Sequence, residues 1–319
     1  MDDRAYDVLA MGRCGIDLYS NDVGVPFEQI RSFAAYVGGC PTNVSVGTRR
    51  LGLRSALLTG VGDDPVGDFV LHFLRQEGVE TSFIPRKPGR RTGAVVLGIE
   101  PPDRFPLVFY RENAADLALD VDDVLRAPVE RSRVLFLTGT GLCADPSRTA
   151  TLFAAERAAA AGTRVVVDLD YRASLWPDVR AYGVNVRALV RWAEVVVGNE
   201  EELQAATGEE AVEEAARVVL ALGPQAVVAK LGARGSAVFT RDGRRVDAPP
   251  FPVEVYNVLG AGDAFASGFL YGWLRGWDWY RAARLGNACG AIVVTRHGCA
   301  NFMPYEEEAL QFVEERGGF

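Results

Sequence analysis

Short runs of β-branched residues alternate with alanine-rich stretches from about residue 130 onward. The runs are apolar on both faces, as buried parallel strands are, and the stretches between them have helix composition. The pattern predicts strands at Asp7–Gly12, Val134–Leu137, Arg164–Asp168, Val195–Val197 and Ala226–Ala229, and helices at Arg148–Ala161, Glu200–Ala206 and Ala211–Leu222. Such an alternation indicates an α/β fold in which crossover helices connect the strands of a parallel sheet.

Two segments, about 15–37 and 91–110, break this alternation because strands follow one another there without helices. They contain the predicted strands Ile16–Tyr19, Phe33–Val37, Thr92–Ile99 and Leu107–Tyr110. We expect a small β-sheet lid over the carboxyl ends of the main strands, where doubly wound folds bind ligands. No repeat or long linker interrupts the chain, so residues 1–319 are expected to form one domain with this lid.

Composition narrows the class of protein. The 319 residues include 49% hydrophobic residues, which is enough for a sizeable core. The net charge of −8 disfavours nucleic acid and anionic membranes as partners, and small molecules are expected instead. Five scattered cysteines without a CxxC pattern suggest reduced thiols. With no secretory leader and no apolar run long enough to cross a bilayer, a cytoplasmic protein is expected.

The sequence Gly260-Ala261-Gly262-Asp263 is a glycine turn that opens directly into an apolar helix. Small residues allow backbone N–H groups to point at an anion, and the helix dipole favours negative charge at the same place. Asp263 would repel that anion unless it takes a proton from a hydroxyl that attacks a phosphoryl group. Taken alone, an Asp that caps a helix start explains the residue more simply.

Further candidates follow predicted strands. Asn199 and Glu202 open a helix after a strand, and Glu202 is placed to reach a hydrated Mg²⁺, although acids in a first helical turn are also favoured by the dipole. Segment 230–236 permits close approach of a nucleoside, or forms a hairpin turn. Asn43, after paired glycines, either binds sugar hydroxyls or starts a helix.

Arg111 ends a lid strand and Arg172 follows a core strand, so both guanidinium groups are expected in one cleft, where they would bind a carboxylate. Solvated surface charges are the alternative. No GxxxxGK[ST] loop or HRD motif is present, which removes two common nucleotide-phosphate sites. Segment 139–141 lacks the third glycine of a dinucleotide turn, which argues against a nicotinamide-dependent oxidoreductase.

Together these residues resemble the PfkB, or ribokinase-like, family of sugar kinases over nearly the whole chain. GGCPTNVSVGTRRLG (38–52) is similar to the first family signature and GAGDAFASGF (260–269) to the second, which is highly specific. The resemblance implies a ribokinase-like, doubly wound, mostly parallel sheet with helices on both faces and a small β-sheet lid. It also implies an ATP-dependent kinase with Mg²⁺, acting on a sugar.

The resemblance assigns roles at the glycine turn. Asp263 corresponds to the base that deprotonates the sugar hydroxyl. The amides of Gly260, Ala261 and Gly262 correspond to the anion site that stabilises the transferring phosphoryl group. These four residues are therefore the expected catalytic group.

Other family positions also have counterparts. Asn199 and Glu202 match the element near Mg²⁺ and the phosphates. The positions around the nucleotide are matched by Lys230, Gly232, Gly235 and Asn287, and the sugar-holding positions by Asp17, Gly39 and Asn43. Family members that phosphorylate 2-keto-3-deoxygluconate hold their acidic sugar with residues matched by Tyr110, Arg111 and Arg172. The two arginines predict an acidic substrate, and the resemblance implies that this substrate is a keto-deoxy sugar acid.

One departure concerns a monovalent cation. Many relatives have Asp-Thr before the glycine turn, where this chain has Asn257-Val258-Leu259, so strong activation by K⁺ is not expected, although backbone carbonyls remain as ligands. Two further expectations remain open. A non-catalytic sugar-acid sensor would share the fold, and the open edges of a strand lid favour a homodimer through that lid.

Overall fold

The computed structural model describes residues 4–101 and 104–319, so residues 1–3 of the expected domain and residues 102–103 of the expected lid lie outside the described residues. The strands are β1 (Tyr6–Met11), β2 (Gly15–Ser20), β3 (Phe33–Gly38), β4 (Ser55–Leu58), β5 (Gly93–Leu97), β6 (Leu107–Tyr110), β7 (Ser132–Thr138), β8 (Arg164–Asp168), β9 (Val195–Asn199), β10 (Ala226–Lys230), β11 (Ser236–Thr240) and β12 (Arg245–Ala248).

The α-helices of the described residues lie between and after these strands. They are α1 (Cys40–Arg50), α2 (Pro65–Gln76), α3 (Val121–Arg126), α4 (Ser147–Ala160), α5 (Val179–Val190), α6 (Glu200–Thr207), α7 (Val212–Ala221), α8 (Ala261–Leu274), α9 (Trp279–Val293) and α10 (Glu306–Glu314). None of these helices is both long enough and apolar enough to span a membrane.

The main sheet has eight strands in the order β12-β11-β10-β9-β8-β7-β1-β4. From β10 to β4 every neighbouring pair is parallel, whereas β11 pairs antiparallel with β10 and with β12 at one edge. Strand β1 pairs with β7 on one side and β4 on the other, so successive strands diverge from this point. Ligands bind at the carboxyl ends of strands beside such a reversal.

Helices cover both faces of this sheet, as the family resemblance implied. One buried cluster packs residues of α1, α2, α8, α9 and α10 against the sheet. A second cluster packs residues of α3 to α7 against the opposite face. The alternating strand residues Val166 and Val167 belong to opposite clusters, which explains why these strands are apolar on both sides.

The two predicted lid segments form a separate four-stranded sheet in the order β3-β2-β5-β6. Its own small core contains Tyr19, Val95, Leu97 and Ile99. This core also includes Cys299, which lies next to Gly260 of the glycine turn. The small sheet is therefore packed against the turn that begins α8.

The predicted α/β fold and both sheets are confirmed. Two parts of the main sheet were not predicted. Strand β4 consists of only four residues and lacks β-branched side chains. Strands β11 and β12 extend the sheet beyond β10 with antiparallel pairing. Segment 230–236, for which a nucleoside contact and a hairpin turn were both open, connects the antiparallel strands β10 and β11, so the hairpin turn is present.

Helices α1 and α8, which carry the two family signatures, pack closely because Gly47 has no side chain. A Cβ atom at Gly47 would lie 2.3 Å from Ser267 Oγ and 2.7 Å from Ser267 Cβ. Both residues are buried, so neither can turn into solvent. The glycine therefore sets the distance between the helices.

We expect Gly47→Ala to destabilise the protein by about 1–3 kcal/mol, because the added methyl group overpacks this contact. At an uncrowded helical position the same change would stabilise by about 1 kcal/mol. The double variant Gly47→Ala/Ser267→Gly, which moves the methylene to the other helix, should recover most of the loss in urea unfolding. A single variant as stable as the wild type would contradict the close-packing argument.

Candidate active site

Most candidate residues follow the carboxyl ends of parallel strands in the main sheet. Arg13 comes two residues after β1, and Asp170 comes two residues after β8. Asp168, Asn199 and Lys230 are the last residues of β8, β9 and β10. Because these strands are parallel neighbours, their carboxyl ends meet along one edge of the sheet. The topology thus gathers side chains that are far apart in sequence.

The glycine turn lies at this edge. Gly260 has a φ of 83°, and a Cβ there would lie 3.1 Å from Cys299 Sγ, so both backbone conformation and space require glycine. Asp263 lies in the first turn of α8, where the helix dipole favours negative charge. The Ala261 N–H donates to the Val258 carbonyl at 3.3 Å. The turn therefore places a carboxylate at the start of α8, and the Ala261 N–H is already engaged in a long internal hydrogen bond.

The carboxylate of Asp263 is oriented by the other signature. The Nδ2 group of Asn43, in the first turn of α1, donates to Asp263 Oδ2 at 2.6 Å. Asn43 is buried, and its Oδ1 atom has no hydrogen-bond partner within the described residues. The arrangement leaves a buried acceptor beside the proposed base, which suits a ligand hydroxyl.

Asp17 lies close to this pair on lid strand β2. It is buried, and its Oδ1 atom also has no partner in the part of the chain that the structure describes. A Cβ at Gly38 would lie 1.8 Å from Asp17 Oδ2, so this glycine makes room for the carboxyl group. Burial raises the pKa of Asp17 to about 7, although the charge of Arg13 opposes the shift.

Gly39 has a structural reason to be glycine. Its φ is 111°, and a Cβ there would lie 2.5 Å from the carbonyl oxygen of Arg13. The Thr42 hydroxyl donates to the same carbonyl at 3.0 Å. The first signature therefore holds the backbone that follows β1.

Lys230 provides a buried positive charge next to the glycine turn. Its Nζ donates to Asp168 Oδ2 at 3.0 Å and lies 3.5 Å from Glu202 Oε2. Although burial opposes the charged form, these carboxylates raise the pKa of Lys230, which remains an ammonium group. A Cβ at Gly262 would be 3.2 Å from Nζ, so the ammonium contacts the turn directly.

Asn199 and Glu202 form a reciprocal capping box at the start of α6. Asn199 Oδ1 accepts from the Glu202 N–H at 2.8 Å, and Glu202 Oε2 accepts from the Asn199 N–H at 2.7 Å. Within the described residues, no group of three or more His, Cys, Asp or Glu side chains forms a metal cage. One or two carboxylates suffice for Mg²⁺ that is held mainly by phosphates and water, so the donor set fits such an ion.

Of the other predicted nucleotide residues, Gly232 and Gly235 lie in the turn between β10 and β11, and Asn287 lies on α9. A Cβ at Gly235 would lie 2.3 Å from the Ala248 carbonyl, and Asn287 Nδ2 donates to that same carbonyl at 3.0 Å. Gly232 has a φ of 58°, and a Cβ there would have no atom of the described residues within 4 Å, so this glycine borders open space. Gly235 and Asn287 are thus brought together, and Gly232 lies next to them because its carbonyl accepts from the Gly235 N–H at 3.0 Å.

The predicted arginines already have carboxylate partners. Arg111 is buried and paired with Asp116, and its Nη1 donates to the Thr140 carbonyl at 3.1 Å. Arg172 Nη2 lies 3.0 Å from Asp170 Oδ1. The Thr140 hydroxyl donates to Asp170 Oδ2 at 2.9 Å, so one network joins the two arginines. The tyrosine predicted to accompany them, at position 110, is exposed at the end of β6.

Sequence reasoning missed three charged residues here: Arg13, Asp168 and Asp170. Asp170 has a φ of 33°, which is rare for a residue other than glycine and occurs often at functional sites. Although burial opposes ionisation, Arg172 and Arg13 lower the pKa of Asp170. The rule that had selected Asn199 and Lys230, a polar residue at a strand end, would have selected these three as well.

Comparison with known proteins identifies the family. Residues 6–306 match the model of the pfkB family carbohydrate kinases, so the chain belongs to this family and is a carbohydrate kinase. It is 38% identical over 316 residues to 5-dehydro-2-deoxygluconokinase of Shouchella clausii, covering 98% of this chain and 97% of the relative. It is 35% identical to 5-dehydro-2-deoxygluconokinase of Clostridium perfringens, covering 98% and 94%.

A solved structure supports the same fold. The fructokinase with bound ATP from Xylella fastidiosa superimposes with a TM-score of 0.86 at 28% sequence identity. The match covers 97% of this chain and 98% of that one. The predicted ribokinase-like architecture is therefore confirmed by similarity along the chain as well as by the strand order.

We expect the Asp17 carboxyl group to contribute a fall of on the order of 2 kcal/mol in the free energy of unfolding as pH rises from about 4 to 7, because Asp17 binds its proton more tightly when folded than when unfolded. Asp17→Asn should remove this contribution, so the variant and the wild type should differ in how the free energy of unfolding, measured in urea, changes across the same pH range. Asp63→Asn, at an exposed carboxylate, is the matched control and should leave the slope unchanged. Identical slopes in all three proteins would contradict the assignment.

Proposed function

We propose that this protein is an ATP-dependent sugar-acid kinase that phosphorylates the terminal hydroxyl of 5-dehydro-2-deoxygluconate. The observation that carries the proposal is the hydrogen bond from Asn43 to Asp263, which orients a carboxylate at the first turn of α8 beside the glycine turn. The names of the relatives from Shouchella clausii and Clostridium perfringens support this substrate. The ATP bound to the Xylella fastidiosa fructokinase supports the phosphoryl donor.

The sugar lies, in this proposal, between the lid strand β2 and the start of α8. Asp17 Oδ1 and Asn43 Oδ1 are buried acceptors without partners among the described residues, and sugar hydroxyls are the donors they lack. The backbone next to Gly39 closes the same side of the site. Tyr110, Arg111 and Arg172 complete the proposed substrate-binding set around the acid.

The nucleotide lies along the carboxyl ends of β9 and β10. Gly232, Gly235 and Asn287 border its proposed position, and Asn199 and Lys230 face its phosphates. Mg²⁺ bound to those phosphates would neutralise charge that develops during transfer, with Glu202 holding it through water. We propose no strong K⁺ activation, because the Asn257 Oδ1 atom already accepts from the Leu259 N–H at 3.0 Å.

In the proposed reaction, Asp263 takes the proton of the terminal hydroxyl while the hydroxyl oxygen forms a bond to the γ-phosphorus of ATP. The bond between that phosphorus and the β–γ bridging oxygen breaks, and ADP leaves with the electron pair. The amides of Gly260, Ala261 and Gly262, together with Lys230, stabilise the charge on the transferring group. The products are ADP and the phosphorylated acid.

Residues 1–319 are proposed to act as one domain whose four-stranded sheet closes over the sugar as a lid. This sheet also exposes the apolar side chains of Phe33 and Val108, with Tyr110 beside them. We propose that a second copy covers this surface in a homodimer, which light scattering of the purified protein would detect as twice the mass of one chain.

The direct test is ADP release with a panel of acceptors. We expect 5-dehydro-2-deoxygluconate to give the highest kcat/KM, above 2-keto-3-deoxygluconate and well above ribose, fructose and nucleosides, because the site contains buried cations that neutral sugars do not use. Highest activity on 2-keto-3-deoxygluconate would transfer the proposal to that acid. Binding of acids without any ADP release would indicate a sensor, and equal rates on neutral sugars would exclude an acid-specific kinase.

We expect Asp263→Asn to lower kcat by about 10²–10⁴-fold with little change in KM, since the amide cannot accept the proton but can still accept the bond from Asn43. Glu201→Gln is the matched control, because this exposed acid also lies in a first helical turn at a strand end. Steady-state kinetics of both variants decides the point. Near-normal kcat in Asp263→Asn would show that another group is the base.

A further inference from the structure

Arg13 is a buried cation that lacks an ion-pair partner among the described residues. Its exposed fraction is 9%, and its Nε atom is buried without a hydrogen bond. No ion pair or hydrogen bond to its guanidinium group occurs within residues 4–101 and 104–319. A buried charge that lacks a hydrogen-bonded partner is costly, and such groups usually bind an ion or a ligand.

The other two arginines of the site differ from Arg13 in this respect. Arg111 pairs with Asp116, and Arg172 pairs with Asp170. Both therefore have an internal carboxylate, and a ligand acid would have to compete with it. Arg13 has its full hydrogen-bonding capacity available for a ligand.

The position of Arg13 is set by three parts of the fold. Its backbone follows β1, and its carbonyl accepts the hydroxyl of Thr42 at 3.0 Å. Its guanidinium carbon lies 5.2 Å from the ring centroid of Phe109 on lid strand β6. The aromatic contact positions the planar group but leaves its N–H edge for other partners. Arg13 thus joins the main sheet, the first signature and the lid.

The surroundings of Arg13 are those of the sugar site. Its positive charge acts on Asp17, opposing the effect of burial on the pKa of that carboxyl group. It acts on Asp170 in the same direction, together with Arg172. The guanidinium lies more than 4 Å from the oxygens of either acid, since no ion pair joins them in the described residues. The guanidinium group of Arg13 is therefore near the residues proposed to bind the sugar, but none of them forms an ion pair with it in the described residues.

We propose that Arg13 binds the carboxylate of the sugar acid and is the residue that makes this kinase select an acid over a neutral sugar. The inference rests on the proposed function and names the contact that the substrate carboxylate makes. A guanidinium group matches a carboxylate with two parallel hydrogen bonds, which supplies both charge and geometry. Phe109 couples this contact to the lid.

The proposal also explains how an acidic site accepts an acidic ligand. The carboxyl groups of Asp17, Asp170 and Asp263 lie in this region, and the whole chain has a net charge of −8. An incoming carboxylate would be repelled unless a cation that is not already neutralised met it. Arg13 is that cation, whereas Lys230 is already engaged by Asp168.

The experiment compares 5-dehydro-2-deoxygluconate with its neutral C1 amide as acceptors in wild type, Arg13→Gln, Arg13→Lys and Arg31→Gln. Arg31 is an exposed lid-side arginine, so its variant controls for loss of one charge. We expect Arg13→Gln to lower kcat/KM for the acid by about 10–100-fold and to change that for the amide less than threefold. The kcat/KM of Arg13→Lys for the acid should lie between those of the wild type and Arg13→Gln, because lysine keeps the charge and loses the paired hydrogen bonds.

The outcomes separate the two proposals. If wild type phosphorylates the acid but Arg13→Gln loses acid and amide activity equally, Arg13 is structural and the inference is wrong while the kinase assignment stands. If wild type phosphorylates neither, the proposed function itself is wrong. Should Arg13→Gln fail to fold, as judged by circular dichroism and by its thermal shift with ATP, Arg13→Lys decides: unchanged preference for the acid would overturn the inference.

Discussion

The site depends on the contact between α1 and α8. Gly47 allows these helices to approach until Ser267 would touch a methyl group, and this spacing puts Asn43 within 2.6 Å of Asp263. The two signatures are more than 200 positions apart in the chain. The close packing of a glycine in one helix against a small side chain in the other thus allows the hydrogen bond between them. The packing of the two helices therefore also determines how the proposed base is oriented.

The charges around this contact have different degrees of internal pairing. Lys230 is held by Asp168 and Glu202, and Glu202 is also engaged by the capping box of α6. Such paired groups are preorganised and cost little to keep in place when a ligand binds. By contrast, Asp17 Oδ1 and Arg13 Nε are buried without hydrogen bonds among the described residues. Unpaired groups of this kind need a ligand to compensate their desolvation, so they show where the ligand must make contacts.

Periodicity predicted the buried parallel strands from β7 to β10 and the helices α4, α6 and α7, because such strands and alanine-rich helices differ strongly in composition. It did not predict the helices α2, α3, α5, α9 and α10. It failed at β4, where four residues without β-branching form a strand only because β1 offers an open edge. The strand-end rule predicted Asn199 and Lys230, and the signatures predicted Asp263 and Asn43. What no sequence rule supplied is pairing. A sequence does not show that Arg111 meets Asp116 while Arg13 meets no acid within the described residues, because both outcomes depend on side-chain distances across the fold.

The groups proposed to bind the substrate suit the two ends of a linear sugar acid: Asp263 suits the reacting hydroxyl, and Arg13 suits the carboxylate. Arg13 and Asp263 are both close enough to Asp17 for their charges to act on its pKa, Arg13 lowering it and Asp263 raising it. In the proposed complex, the terminal hydroxyl of the substrate lies at Asp263, its carboxylate lies at Arg13, and Asp17 accepts a hydrogen bond from a hydroxyl of the same molecule. In 5-dehydro-2-deoxygluconate the carboxylate is at the end of the carbon chain opposite that hydroxyl. Binding of the carboxylate by Arg13 at one end of the substrate would then help to align the reacting hydroxyl oxygen with Asp263 at the other end.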